Sequence, residues 1–185
     1  MNPWHDIKRE KVSPEKFWAV IEISKGSKNK YELDKETGRL KLDRVLFTST
    51  HYPQNYGFIP LTYSRDYDPL DVLVLCSEEI LPLALVECKP IGILTMTDSG
   101  LADDKIIAVP LSDPFYKDYE DITDIPEHVM QEIKHFFTVY KSLEGKDTSV
   151  DEIKGRDAAK EIIKEALIDY DKEILPKLIE QRKYR

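Results

Sequence analysis

The sequence predicts a mainly β protein of the α+β class, in which a small closed barrel of about five strands carries helices on its outside. Two observations favour this fold. Runs of β-branched and aromatic residues dominate the first two thirds of the 185 residues, and apolar residues at helical spacing dominate the last third. The sequence contains no internal repeat, low-complexity tract or linker, so we expect residues 1–185 to form one domain.

Six segments of the first two thirds have the composition of strands, two of them joined in a predicted hairpin. The run FWAVIEI at 17–23 is β-branched and aromatic, and the stretches on either side of the turn KETG predict a hairpin over 29–47. The runs at 71–76, 84–96 and 105–111 are apolar enough to form buried strands. The stretch THYPQNYGF, which contains a proline and a glycine, is interpreted as a loop.

The last third of the sequence switches to helical periodicity. A first helix is predicted to begin near Pro126, which suits the first helical turn, and to stop at Gly145. Its apolar stripe comprises Val129, Ile133, Phe136, Phe137 and Tyr140. A second helix begins either at Ser149, the first residue of a capping-box pattern, or near Asp157, and Pro176 ends or kinks it.

Charge and composition argue against several function classes. The chain has 27 basic and 35 acidic residues, a net charge of −8, so we expect no nucleic-acid partner. No apolar run has the length of a membrane span, and the start MNPWHDIKREK lacks the apolar centre of a signal peptide, which predicts a cytoplasmic protein with no membrane partner. Cys76 and Cys88 lack metal-type spacing and are interpreted as buried, reduced thiols.

Three aspartates crowd the entrance to the predicted strand at 71–76. In RDYDPLDVLV, Asp66 and Asp68 share a face if the segment is extended, and Asp71 opens the strand. Carboxylates this close repel one another and are costly to bury unless a cation lies between them. Aspartate is also common in turns, where it bonds its own backbone, and for DYDPLD alone this plainer interpretation stays open.

A second acidic loop also places carboxylates at the entrance to a predicted strand. Asp98 ends one apolar run, a Ser-Gly pair makes a turn, and Asp103 precedes the next strand. By alternation, Asp103 and Lys105 point to one side and Asp104 to the other. If the two strands are neighbours, four or five carboxylate oxygens converge, and ligands of this hard type suit Mg²⁺ or Mn²⁺.

Cationic and phenolic side chains elsewhere could serve an anionic substrate. Lys30 and Arg44 lie on the two strands of the predicted hairpin, and Glu22 interrupts an otherwise apolar strand. The other candidates end the first helix or lie in THYPQNYGF, and they are Tyr140, Lys141, Tyr52 and Tyr56. Lysine, arginine and tyrosine are the donors that phosphate oxygens require. Taken singly, the hairpin cations also fit a solvated face, and Tyr140 also fits a core aromatic.

The ordered set of motifs resembles family I soluble inorganic pyrophosphatases. The segments that carry the resemblance are VIEISKGSKNKYELD, DRVL, YPQNYGFIP, DYDPLDVLVL, MTDSGLADDKIIAVP and HFFTVYKSLEG. They cover roughly residues 18–145, and the D-x-D-P-x-D-V motif, the D-x4-D-x-K loop and the closing YK have the spacing of that family. Two residues depart from the family pattern: Tyr67 replaces a small or polar residue, and Ser24 replaces a proline found in many members.

The resemblance implies a five-stranded OB-like closed barrel with flanking C-terminal helices. It also implies hydrolysis of pyrophosphate to two orthophosphates with Mg²⁺, or with Mn²⁺ or another divalent cation. The implied metal ligands are Asp66, Asp71, Asp98 and Asp103, with Glu22 as an outer-sphere or additional metal group. Family members of this short type are commonly homo-hexamers, so a homo-oligomer is expected and a hexamer is favoured.

The resemblance also assigns the remaining site residues. Asp68 is implied as the base that takes a proton from the attacking water, and Tyr56 as a donor near that nucleophile. Lys105 is implied as a partner of the metal-site carboxylates or of the substrate. The implied phosphate-binding groups are Lys30, Arg44, Tyr140 and Lys141.

Two alternatives stay open at the level of the sequence. One is a Mg²⁺-dependent phosphohydrolase that acts on nucleotides, for which Tyr52, Tyr56 and Tyr67 could stack on a base. The other is an OB-type module that binds single-stranded nucleic acid without catalysis, against which the acidic net charge speaks.

Overall fold

A computed structural model describes residues 2–183, so Met1, Tyr184 and Arg185 of the predicted domain 1–185 lie outside the described residues. The strands are β1 (Phe17–Ile23), β2 (Asn29–Leu33), β3 (Leu40–Val45), β4 (Asn55–Phe58), β5 (Asp71–Val74), β6 (Leu85–Asp98), β7 (Leu101–Ala102), β8 (Lys105–Pro110) and β9 (Thr148–Gly155). The α-helices are α1 (Glu127–Val139), α2 (Arg156–Asp169) and α3 (Leu175–Lys183).

Pairing between strands that are distant in sequence builds the main sheet. β1 pairs with β4, β4 with β5, β5 with β8 and β8 with β6, and β6 pairs in turn with β1. β7 and β9 extend the sheet from β6, whereas β2 and β3 form a separate two-stranded hairpin. The pairing of β5 with β8 is parallel. The predicted mainly β, α+β class is confirmed.

The strand β4 corrects the prediction of a loop over THYPQNYGF. Gly57 lies in the middle of this strand, where an added Cβ atom would be 1.9 Å from the carbonyl oxygen of Val20 on β1. β1 and β4 therefore approach too closely for any other residue, and all four residues of β4 are buried. In the sequence, Gly57 indicates a loop. In the structure, the close packing of β1 against β4 requires a glycine at this position.

The strand β9 corrects the prediction of a helix start at Ser149. Its residues pair with β6, Val150 opposite Met96, and their burial roughly alternates as in a strand with one solvated face. Helix α2 begins at Arg156 instead, which confirms the start near Asp157. Pairing with the edge of β6 therefore stabilises a strand at this segment more than the local capping pattern stabilises a helix.

The chain stays helical through Pro176, so the prediction that this residue ends the helix is wrong. A π-helical turn at Tyr170–Ile174 follows α2 and leads into α3. Proline offers no N–H to the ladder and crowds the preceding turn, and a π-helical turn is one way to relieve that strain. The π-helical turn ends at Ile174, directly before α3 and two residues before Pro176.

Apolar side chains alternate between two core clusters along the strands. Val72 belongs to the cluster that packs under α2, and its neighbour Leu73 belongs to the cluster that packs under α1. Cys88 is buried as predicted, whereas Cys76 is only partly buried, and both thiols are free. No helix within residues 2–183 is long and apolar enough to cross a membrane.

Replacing Gly57 with alanine should destabilise the fold by at least about 3 kcal/mol, since the new methyl group meets backbone atoms that cannot turn aside. Gly145→Ala is the matched control, because it has open space but a φ of +67° and should cost about 1–2 kcal/mol. Urea unfolding of both variants measures the difference. Equal losses would show that β1 and β4 are not locked at this contact.

Candidate active site

A cavity of about 260 Å³ opens where the main sheet, the hairpin β2–β3 and the end of α1 meet. All the site residues predicted from the sequence line it except Arg44 and Lys105. Those that do are Glu22, Lys30, Tyr56, Asp66, Asp68, Asp71, Asp98, Asp103, Tyr140 and Lys141. Residues from seven separate parts of the chain are thereby brought together.

Three carboxylates form the centre of this cavity. Asp66, Asp71 and Asp103 each offer an oxygen atom, and these three atoms lie within 4.8 Å of one another. The parallel pairing of β5 with β8 explains the arrangement, because it sets Asp71 opposite Lys105 and so brings the entrances of both strands to one edge. The condition set in the sequence analysis, that the two strands are neighbours, is met, and three of the expected carboxylates converge.

Lys105 lies beneath these carboxylates, and its side chain is almost fully buried. Its ammonium nitrogen is 2.7 Å from Asp71 Oδ2 and 2.6 Å from Asp103 Oδ1. Asp104 turns away and accepts a hydrogen bond from the Met96 N–H at 3.4 Å, as strand alternation predicts. The contacts of Lys105 are therefore with the carboxylates, which is one of the two roles that the resemblance left open.

The pKa values of the carboxyl groups show that one ammonium does not balance this cluster. Burial, followed by the charges of Asp71 and Asp103, raises the pKa of Asp66 to about 7. Burial also raises the pKa of Asp71, against the opposing effect of Lys105. Hard oxygen ligands with excess negative charge are what Mg²⁺ and Mn²⁺ bind, so the residues present fit a divalent cation.

Tyr56 contacts the same cluster from β4. Its hydroxyl donates to Asp71 Oδ2 at 2.5 Å. Burial and the neighbouring carboxylates hold the pKa of Tyr56 well above its usual value, so the phenol stays protonated and remains a donor. Strand β4, which the sequence analysis interprets as a loop, therefore positions this hydroxyl.

Asp98 and Glu22 line the cavity outside the group of three. Asp98 ends β6 at the predicted turn and forms an ion pair with Lys141, which follows α1. Glu22 on β1 accepts a hydrogen bond from the Leu33 N–H at 2.6 Å, and burial raises its pKa to about 8. Neither carboxylate belongs to the cluster whose oxygens lie within 4.8 Å of one another.

The hairpin β2–β3 forms one wall of the cavity. Lys30 on β2 lines the wall and pairs with Glu32. Arg44, which lies opposite Lys30 on β3, donates to Glu144 Oε1 at 2.8 Å and to Asp43 Oδ2 at 2.5 Å. Two carboxylates thus hold Arg44 beside the cavity and not in its lining.

The segment that carries Asp66 and Asp68 is a turn and not an extended strand, so the condition under which the two would share a face by alternation is not met. Tyr67 between them has a φ of +71°, and the Asp68 N–H donates to Asp66 Oδ1 at 3.2 Å. This backbone reversal sends Asp66 toward Asp71 and leaves Asp68 at the mouth of the cavity, half exposed.

Comparisons with known proteins agree with this geometry. The sequence model of the family described as inorganic pyrophosphatase matches residues 19–171. The chain belongs to the inorganic pyrophosphatase family. It is 47% identical over 176 residues to soluble inorganic pyrophosphatase 2 of Chlamydomonas reinhardtii, an alignment that covers 95% of this chain and 92% of the relative.

Solved structures of the same family have the same fold. An inorganic pyrophosphatase from Thermus thermophilus superposes with a TM-score of 0.88 at 41% identity, covering 92% of this chain and 99% of the other. One from Helicobacter pylori gives 0.85 at 38% identity, covering 90% and 99%. As a member of this family, the chain is an enzyme of the inorganic diphosphatase class.

Lys35 lines the cavity of this pyrophosphatase although sequence reasoning did not identify it. Lys35 lies in the KETG turn between β2 and β3, where its position indicates only a solvated hairpin tip. In the structure it lines the cavity and forms an ion pair with Asp68. No pattern within the hairpin or the DYDPLD turn predicts the contact of Lys35 with Asp68, because this contact joins two elements that are distant in sequence.

Replacing Lys105 with methionine should lower the free energy of unfolding by about 3–5 kcal/mol in the presence of a chelator, since it leaves two buried carboxylates without their cation. Lys16→Met is the matched control. Lys16 pairs with Glu87 on the surface, where such a pair contributes at most about 1 kcal/mol. Denaturant unfolding compares the two, and a Lys105 variant as stable as the control would contradict the balancing role.

Proposed function

We propose that this chain hydrolyses inorganic pyrophosphate to two orthophosphates with the help of Mg²⁺, and that Asp68 is the general base. The observation that carries the proposal is the cavity itself, whose lining combines convergent carboxylates with Lys30 and Lys141. A highly anionic diphosphate needs both carboxylates that hold metal ions and ammonium groups, because metal ions and ammonium groups offset its charge at different oxygens.

Asp66, Asp71 and Asp103 would hold the divalent cation, with Asp98 and Glu22 as further carboxylates at the cavity wall. A divalent cation there supplies Lewis acidity and lowers the pKa of a nearby water molecule. Lys105 neutralises part of the cluster from below, so the three carboxylates can lie close together before any metal arrives. Mn²⁺ offers the same ligand preference and is the proposed substitute.

The proton of the attacking water goes to the Asp68 carboxylate in this proposal. The water oxygen forms a bond to one phosphorus, and the bond from that phosphorus to the bridging oxygen breaks, releasing the second phosphate. Asp68 suits this role because it borders the cluster, lines the cavity and is half exposed, so it can pass the proton to solvent. Tyr56 stays protonated, and its one O–H, which donates to Asp71 Oδ2 in the structure, would have to turn to the reacting oxygen to serve as a donor there.

The cationic side of the cavity would bind the phosphate groups. Lys30 comes from the hairpin, and Tyr140 and Lys141 come from the end of α1, so a diphosphate is held between two separate elements. Arg44 is proposed as a further phosphate-binding group at the edge of the cavity, where Glu144 and Asp43 hold its guanidinium. Their positive charge neutralises the departing phosphate.

The finer features of the fold and assembly are part of the same proposal. Successive pairing of β1, β4, β5, β8 and β6, with β6 returning to β1, supports an OB-like closed barrel. Exposed large apolar side chains such as Phe47, Phe115 and Leu143 support a homo-oligomer, for which a hexamer is favoured and sedimentation velocity is the measurement. The free thiols of Cys76 and Cys88 fit a cytoplasmic location.

Phosphate release from pyrophosphate by the purified chain tests the reaction directly. We expect rapid release in Mg²⁺, loss of release when EDTA removes the metal, and much slower release from ATP under the same conditions. Equal rates on ATP would favour a nucleotide phosphohydrolase. Release that persists in EDTA would exclude the metal-dependent mechanism.

Asp68→Asn should lower the turnover number for pyrophosphate by about two to four decades, as loss of a positioned base does. Folding and Mg²⁺ binding should stay close to wild type, because Asp68 lies outside the three-carboxylate cluster. Asp118→Asn removes the same charge from an exposed site away from the cavity and is the control. Steady-state kinetics with calorimetric Mg²⁺ titration checks both parts, and near wild-type turnover of Asp68→Asn would exclude the base.

A further inference from the structure

Three ammonium groups in the described part of the chain form ion pairs with aspartates that line the cavity. Lys105 holds Asp71 and Asp103, and Lys141 holds Asp98. Asp68 is contacted by Lys35, which is the one partner that residues 2–183 provide for its side chain. Lys35 reaches the cavity from the tip of the hairpin, an element that makes no strand pairing with the main sheet.

The backbone at both ends of this contact is held in place. At the hairpin tip, the Asn2 side-chain amide donates to the Lys35 carbonyl oxygen at 2.9 Å, and Asp34 accepts from the Thr37 N–H at 2.7 Å. On the other side, the Asp68 carbonyl oxygen accepts from the Ser64 N–H at 2.7 Å. Lys35 therefore reaches Asp68 from a backbone that is held in place, and the pair joins the hairpin tip to the turn before β5.

We propose that Lys35 is the positioning residue for Asp68, holding the carboxylate in the orientation that takes the proton of the attacking water. The assignment rests on the proposed function of the cavity. The side chain of Asp68 is 50% exposed and that of Lys35 is 46% exposed, so without the ion pair the carboxylate would sample several rotamers. A base that spends less time in its productive orientation lowers the rate of the chemical step and leaves substrate affinity unchanged.

Kinetics of Lys35→Gln and Lys35→Arg with pyrophosphate and saturating Mg²⁺ tests the assignment. We expect the glutamine variant to lose about two- to five-fold in kcat, the range that one exposed ion pair supports, with KM unchanged. The arginine variant keeps the charge and should retain most of kcat. Lys41→Gln, which removes an exposed charge from the same hairpin outside the cavity lining, should behave as wild type.

A double-mutant cycle separates positioning from other roles. In the Asp68→Asn background, Lys35→Gln should cause no further loss of kcat, and the stabilities of the four proteins, measured by denaturant unfolding in a chelator, should show coupling between the two sites. An unchanged kcat in Lys35→Gln would overturn the assignment, and so would an equal loss of kcat in both backgrounds. Additive effects of the two substitutions on stability would also overturn it. A raised KM with unchanged kcat would indicate that Lys35 binds phosphate directly instead. Absence of hydrolysis by the wild-type chain would overturn the proposed function and this assignment with it.

Discussion

The site depends on one buried ammonium group, that of Lys105. Parallel pairing of β5 with β8 sets it opposite Asp71, and its nitrogen bridges Asp71 and Asp103. Carboxylates brought this close inside a protein destabilise it unless they are paired, because burial removes water from their charges. Lys105 offsets two of them and leaves Asp66 with a raised pKa. The three carboxylates are therefore arranged as a divalent cation requires.

The carboxylates and the ammonium groups of the site come from different structural elements. The ends of strands in the main sheet carry the carboxylates, which need accurate spacing because a metal site tolerates little displacement. The separate hairpin and the end of α1 carry Lys30 and Lys141, which face the cavity from outside the sheet. Ammonium groups on flexible stems act as point charges, so their spacing is less demanding. The carboxylates are therefore carried by the hydrogen-bonded main sheet and the turn before β5.

The two departures from the family pattern are accommodated locally. Tyr67 adopts a positive φ, which is strained for a bulky residue, yet its side chain is 67% exposed and so does not displace the turn that holds Asp66 and Asp68. Ser24, where many members have proline, donates its hydroxyl to the Ile80 carbonyl oxygen at 2.7 Å and ties the end of β1 to the loop before β6. Neither residue disturbs the carboxylate cluster.

Local sequence patterns were enough to predict the mainly β class, the strands at 17–23 and 105–111, the helix after Pro126 and the residue types of the site, because periodicity and turn residues act locally. The other features depend on contacts between distant parts of the chain. β4 and β9 exist because neighbouring strands accept them, and the positive φ at Tyr67 overrides the alternation expected for Asp66 and Asp68. The contact of Lys35 with Asp68 joins residues that lie far apart in sequence, and such pairs are set by packing that no local pattern records.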